Sequence, residues 1–175
     1  MLAKEKSMII IAPHKNKSRK ATNEDAAFIA EQASEMMLLA AKIEHSREFF
    51  DQVYGVHHSQ VSKDPIDFFA LNPTNQNVVE RWKDEAFVIV NPEIINHTRH
   101  TVPSEESCLS FAGLPATQVE RWNKVTVMYR TIVQEDGKWI LSVPIERNLG
   151  GLIARIFQHE NEHSRGITIY DMIGT

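Results

Sequence analysis

A chain of 175 residues, 42% of them hydrophobic, can bury one proper core and fits a single domain over residues 1–175. Its net charge of −4 supplies no global field for nucleic acid or an anionic membrane, so neither is expected as a direct partner. One cysteine, Cys108, excludes an internal disulfide, and a cytoplasmic enzyme is the default expectation.

The first apolar run, residues 8–12, is far too short for a membrane span or a signal-peptide core. It reads as a short strand ended by Pro13. Only Arg19 supplies arginine in the first twenty residues, which argues against an organellar transit peptide. The cluster Lys15, Lys17, Arg19 and Lys20 reads as a solvated loop, with a docking patch for an acidic partner as the alternative. Thr22 with Asp25 three residues later opens a long helix. Within it Ile29, Ala33, Met36, Ala40 and Ile43 recur at helical spacing and bury one face, with Met36 and Met37 as core filler.

Beyond Tyr54 the period changes. Residues 66–71 and 86–90 are short apolar runs bounded by Pro65, Asn72-Pro73 and Asn91-Pro92, which reads as strands between turns. Residues 125–133 alternate, and Asp136-Gly137 turns the chain into residues 139–143 as a β-hairpin. Gly150-Gly151 precedes a second helix, residues 152–164, that stops before Gly166. Helix, several strands, helix indicates an α+β fold with an antiparallel sheet.

On that second helix His159 and His163 are four residues apart and share a face, and Glu160 completes H-E-x-x-H. Two imidazoles can bind one metal ion while the carboxylate takes a proton from water. The metal lowers the pKa of water from about 16 toward 7. An amphipathic helix carrying ordinary surface His and Glu is the bland alternative. Against it, Leu152, Ile156 and His163 share one stripe, with Ile153 and His159 beside it. The histidines thus sit on the core side, where an unpaired imidazole is costly. A catalytic site needs a third protein ligand. Only twelve residues follow His163, with no His, Cys or Glu among them, so an upstream ligand is expected. Cys108 is the best candidate because a thiolate is a strong ligand, although a free cysteine also serves commonly as a small buried apolar residue.

In context these residues resemble the peptide deformylase family. Glu106-Ser107-Cys108-Leu109-Ser110 is similar to its E-G-C-L-S motif, and Gln158-His159-Glu160-Asn161-Glu162-His163 to its Q-H-E-x-D-H. The best match to its G-x-G-L-A-A-x-Q motif is Val53-Tyr54-Gly55-Val56-His57-His58-Ser59-Gln60. Gly151-Leu152-Ile153-Ala154-Arg155 leads into the histidine motif as the family's G-L-L-A-R does. The likeness covers residues 53–173. It implies antiparallel β-sheets around a central helix bearing H-E-x-x-H, with a long N-terminal helix.

The resemblance implies removal of the N-formyl group from the initiator methionine of new chains, with an N-formylmethionyl peptide as substrate. Cys108, His159 and His163 would hold one divalent metal ion, usually ferrous iron in the family, with zinc, nickel or cobalt as alternatives. Glu160 would be the general base and acid. Gln60's side-chain amide and the Leu109 backbone N–H would stabilise the oxyanion. Backbone at Tyr54 and Gly55 would pair with an extended peptide, and Arg121 would sit near the peptide's exit. Leu152 and Ile156 would help line the methionine pocket. Arg121 as a surface cation, and Leu152 and Ile156 as core, remain open.

The departures fall around the substrate. Val53 replaces a glycine, His57 and His58 two alanines, Ser107 the glycine before Cys108, Glu162 an aspartate and Ala112 a proline. The histidines must displace neighbours, or reach solvent or the site. The chain ends soon after Ile173, resembling shortened and phage-encoded forms, so weaker or differently made contact with the ribosome exit region is expected without the family's C-terminal helix. A monomer is expected. The competing functions are a catalytically impaired deformylase-like binder and, third, a metallopeptidase.

Overall fold

The computed structural model describes residues 8–11, 17–46, 52–84, 86–111 and 114–172. Ala12, Pro13, Lys15, Ala112 and Ile173, for which the sequence raised expectations, lie outside these residues. Residues 8–11, expected as a strand, lie in none, although the Ile11 N–H donates to the Gln60 carbonyl at 2.8 Å.

A 3₁₀ turn, Asn23–Asp25, leads into α1, Ala26–Ser46, and the Thr22 N–H donates to the Asp25 carboxylate at 2.8 Å. Asp25 also takes both arms of Arg19, and Lys20 reaches Asp67 at 3.0 Å. Two cations expected in a solvated cluster are therefore neutralised by carboxylates.

Five strands form one antiparallel sheet in the order β1 (Gly55–His57), β2 (Phe68–Leu71), β3 (Val88–His97), β6 (Lys124–Arg130), β9 (Ile145–Gly150). Two ribbons stand apart: β4 (Thr101–Glu106) with β5 (Thr117–Trp122), and β7 (Ile132–Glu135) with β8 (Lys138–Leu141). The expected continuous strand 125–133 therefore breaks at Thr131 into two sheets. Asp136 and Gly137 both have positive φ, 49° and 74°, as a two-residue hairpin turn demands.

Side-chain alternation divides the core into two layers. Phe68 and Ala70 of β2 join Ile29, Ala33, Met36 and Ala40 of α1, whereas Phe69 and Leu71 join Ile153, Ala154 and Phe157 of α3, Gly151–Ser164. That is why β2 reads as one unbroken apolar run: both its faces are covered.

Asn91-Pro92 does not end a strand. Asn91 takes φ 51° at an irregularity between Val90 and Glu93, and β3 continues to His97. Asparagine tolerates this conformation, and its side-chain amide clamps Ala21 through both backbone groups at 2.8 and 3.0 Å. A short helix α2, Gln76–Arg81, also forms, capped where the Asn75 side chain accepts from the Val78 N–H. The helix α3 stops at Gly166, φ 71°, whose N–H donates to the His163 carbonyl at 3.0 Å.

Candidate active site

Three segments of distant sequence meet at α3. The β4–β5 ribbon brings Glu106 and, just past β4, Cys108. The turn after β1 brings Gln60, and α3 supplies His159, Glu160 and His163. One ligand atom each from Cys108, His159 and His163 lies within 4.8 Å of the others. Cys108 Sγ and His163 Nε2 are 3.5 Å apart. A tetrahedral ion with metal–sulfur and metal–nitrogen bonds of about 2.3 and 2.0–2.1 Å needs donors about 3.6 Å apart. The donor set and spacing fit such an ion, and these are the residues that could hold it.

Behind the ligands runs a buried ionic chain. The His159 Nδ1 lies 2.9 Å from Glu106 Oε1, which leaves its Nε2 free for the ion. Arg121 grips Glu106 with two bonds of 2.6 and 2.8 Å and grips Glu162 on its other side. Burial alone would raise the Glu106 pKa, but the Arg121 and His159 hydrogen bonds pull it down to about 2. Burial would depress His159, yet the Cys108 sulfur and Glu106 hold its pKa well above the usual value. For His163 burial and the neighbouring charges of His159, His57 and Arg121 all act together to lower the pKa. Arg121 was expected near the exit of a peptide. The structure puts it elsewhere: 2% exposed, clasped by two carboxylates and absent from the cleft lining. Glu162 serves as the outer end of this chain.

Glu160 is buried, and its Oε2 finds no hydrogen-bond partner among the described residues. Burial raises its pKa, opposed by the charges of His159 and His57. A desolvated carboxylate with a free oxygen is suited to hold a transferred proton. Gln60 is fixed by its Oε1, which accepts the His57 N–H at 2.8 Å. Its Nε2 then points at Ser110 Oγ, 3.2 Å, and Cys108 Sγ, 3.8 Å. Leu109 opens a 3₁₀ turn, Leu109–Phe111, where the first N–H groups lack partners within the turn.

A cleft of about 430 Å³ opens over this centre. Gln60, Cys108, Leu109, His159 and Glu160 line its floor, and Val53, Tyr54, Gly55, Leu152 and Ile156 its walls. The strand β1 ends the five-stranded sheet, so its outer edge is unpaired among the described strands. Leu152 and Ile156 also pack into the α3 core layer, so each serves core and cleft.

His57 and His58 stay out of the cleft. His57 Nδ1 accepts the Ser59 N–H at 3.1 Å, and Nε2 faces Asp67 and Ser164 at 3.4 and 3.3 Å. His58 is stacked on Phe68, edge-on to Phe28, with Nδ1 accepting the Ile66 N–H at 3.0 Å. Val53 is buried, its carbonyl held by the Asn72 side chain at 2.8 Å, and Ser107 is exposed on the cleft rim. The sequence motifs contain Glu106 and Arg155 without giving either a role, and Glu105 and Gln52 carry no motif signal at all. Of these only Glu106, a carboxylate two residues before the cysteine, carried a chemical signal.

No described helix is long and apolar enough to cross a membrane. The chain is 31% identical over 129 residues to chloroplastic peptide deformylase 1B of Oryza sativa subsp. japonica, covering 71% of this chain and 43% of the relative. It is 32% identical over 132 residues to peptide deformylase of Aquifex aeolicus (strain VF5), covering 73% and 70%. The chain thus spans under half of the rice relative. A mutant peptide deformylase 1B of Arabidopsis thaliana superposes with a TM-score of 0.71 at 25% identity, over 94% of this chain and 79% of that one. A probable peptide deformylase from synechococcus phage S-SSM7 shares the fold, with a TM-score of 0.69 at 23% identity over 94% and 99%. The polypeptide deformylase model matches residues 5–175, and the chain belongs to that family.

Proposed function

We propose that the chain is a peptide deformylase, a metal-dependent hydrolase that removes the formyl group from N-terminal formyl-methionine and releases formate. One observation carries this reading. Sulfur and two imidazoles converge within 4.8 Å, and Glu160, whose buried Oε2 has no partner among the described residues, lines the same cleft as Cys108 and His159, edged by a strand unpaired on its outer side among the described strands.

Cys108, His159 and His163 would hold a divalent cation, which would supply Lewis acidity and lower the pKa of water. Ferrous iron is our assignment, and zinc, nickel or cobalt suit the same donors. Glu160 takes the proton as the water oxygen bonds to the formyl carbon. Gln60 Nε2 and the Leu109 N–H donate to the oxyanion that forms. Glu160 then gives its proton to the methionine nitrogen as the carbon–nitrogen bond breaks, leaving formate and a free amino terminus. Backbone at Tyr54 and Gly55 pairs with the extended peptide on the open edge of β1, and Leu152 and Ile156 wall the methionine pocket. Arg121 acts at a distance, by holding Glu106 against His159. The same reading takes residues 1–175 as one domain, a monomer working in the cytoplasm at the ribosome exit.

Protein prepared anaerobically with iron, nickel or cobalt should release formate from formyl-Met-Ala. Glu160→Gln should lower kcat by about 10²–10⁴ while retaining the metal. No formate from any metal form would sink the reading.

A further inference from the structure

The two ends of the cleft differ in charge. Its acidic groups near the ligands are engaged or buried: Glu106 is tied to Arg121 and His159, and Glu160 lies beneath the surface. On the wall that carries Tyr54 and Leu152 there is one cation, Arg155. Arg155 lines the cleft, half-buried, one helical turn before His159, and among the described residues no carboxylate pairs with it. The charge of Arg155 reaches the Tyr54 phenol, as does that of Arg81, which lies outside the cleft lining and pairs with Glu80 at 3.9 Å.

Glu44, the acid that also acts on the Tyr54 phenol, does not pair with Arg155. Its oxygens take the side-chain amides of Asn72 at 2.7 Å and Asn75 at 2.6 Å, and the Val53 N–H at 3.4 Å. Glu105 lines the cleft from β4 but is exposed to water. A guanidinium held in the wall of a peptide-sized cleft with no carboxylate partner among the described residues favours an anion brought by the ligand.

Four residues of helix advance about 6 Å. An extended peptide advances about 3.3 Å per residue. A peptide with its formyl group at the ligands therefore passes Arg155 with the first or second residue after methionine.

Resting on the deformylase reading, we propose that Arg155 is a specificity-determining residue. It favours formyl-methionyl peptides that carry a carboxylate on the first or second residue after methionine over those carrying a cation there.

The test compares formyl-Met-Ala-Ala, formyl-Met-Glu-Ala, formyl-Met-Ala-Glu and the two lysine counterparts, all as C-terminal amides. Formyl-Met-Ala-Ala with a free C-terminal acid shows whether a terminal carboxylate serves as well. With iron-loaded wild type at low salt, the better glutamate peptide should exceed its lysine counterpart about five-fold in kcat/KM. The ratio should shrink as salt rises. Arg155→Gln should abolish it and Arg155→Glu reverse it, each measured relative to formyl-Met-Ala-Ala on the same variant. Equal wild-type values, or a preference that survives Arg155→Glu, would overturn the proposal. If formyl-Met-Ala-Ala yields no formate, the deformylase reading fails by itself. Dissociation constants for the same peptides then decide Arg155 by the same criteria.

Discussion

Arg121 shows how much one side chain can organise. Two buried carboxylates, Glu106 and Glu162, face the same guanidinium, and Glu106 also fixes the His159 ring. Each charge would be expensive to bury alone, and the planar fork satisfies both. His58 is a different case, a lone imidazole among aromatic rings. Burial pushes its pKa from the ordinary 6.5 down to about 4, so the folded state keeps it neutral where the unfolded state takes up a proton. Its contribution is complete above pH 6.5 and lost as pH falls toward 4, by about 3 kcal/mol. In His58→Gln, which keeps an acceptor for the Ile66 N–H, the decline in unfolding free energy between pH 6.5 and 4 should flatten by about that amount. Denaturant titration across this range checks it, and parallel curves for the two proteins would refute the assignment.

Among the elements, β1 lies hard against β2 at Gly55. A Cβ on Gly55 would meet the Ala70 carbonyl oxygen at 2.9 Å, closer than real contacts allow. Gly55→Ala must therefore shift β1 from β2 and displace the cleft edge. Its KM for a formyl-Met peptide should rise about ten-fold or more, with a melting temperature a few degrees lower. Unchanged KM would mean that β1 does not pair with substrate. The elements also differ in legibility. The helix α1 was plain from the spacing of Ile29, Ala33, Met36 and Ala40, because one face meets the sheet. The hairpin at Asp136-Gly137 was plain because two consecutive positive φ values restrict residue choice. The short β4 and β5 and the six-residue α2 carried no clear period. The β3 continuation was hidden because Asn91-Pro92 ordinarily spells a turn.

For the molecule as a whole, the centre ties the β4–β5 ribbon to α3, and the C-terminal turn Ile169–Met172 packs its Ile169 and Tyr170 with Cys108. Metal binding should therefore be folding energy as well as chemistry. Chelated protein should unfold at lower temperature, and adding a fitting ion at a hundred times its Kd should restore about 2.7 kcal/mol. Cys108→Ser should lose most of that gain. Calorimetry showing no rise with iron, zinc, nickel or cobalt would refute the three-ligand assignment.

The sequence by itself determined the pair His159 and His163 on one helical face, the fold class, and the motif around Cys108, since these depend on local spacing and residue chemistry. Only the tertiary structure decided that Cys108 Sγ comes within 3.5 Å of His163, that Arg121 lies behind the ligands, and that His57 and His58 turn away from the cleft. Those outcomes depend on which strands pair and what each side chain meets across the core, contacts between residues as far apart in the chain as 41 or 55 positions.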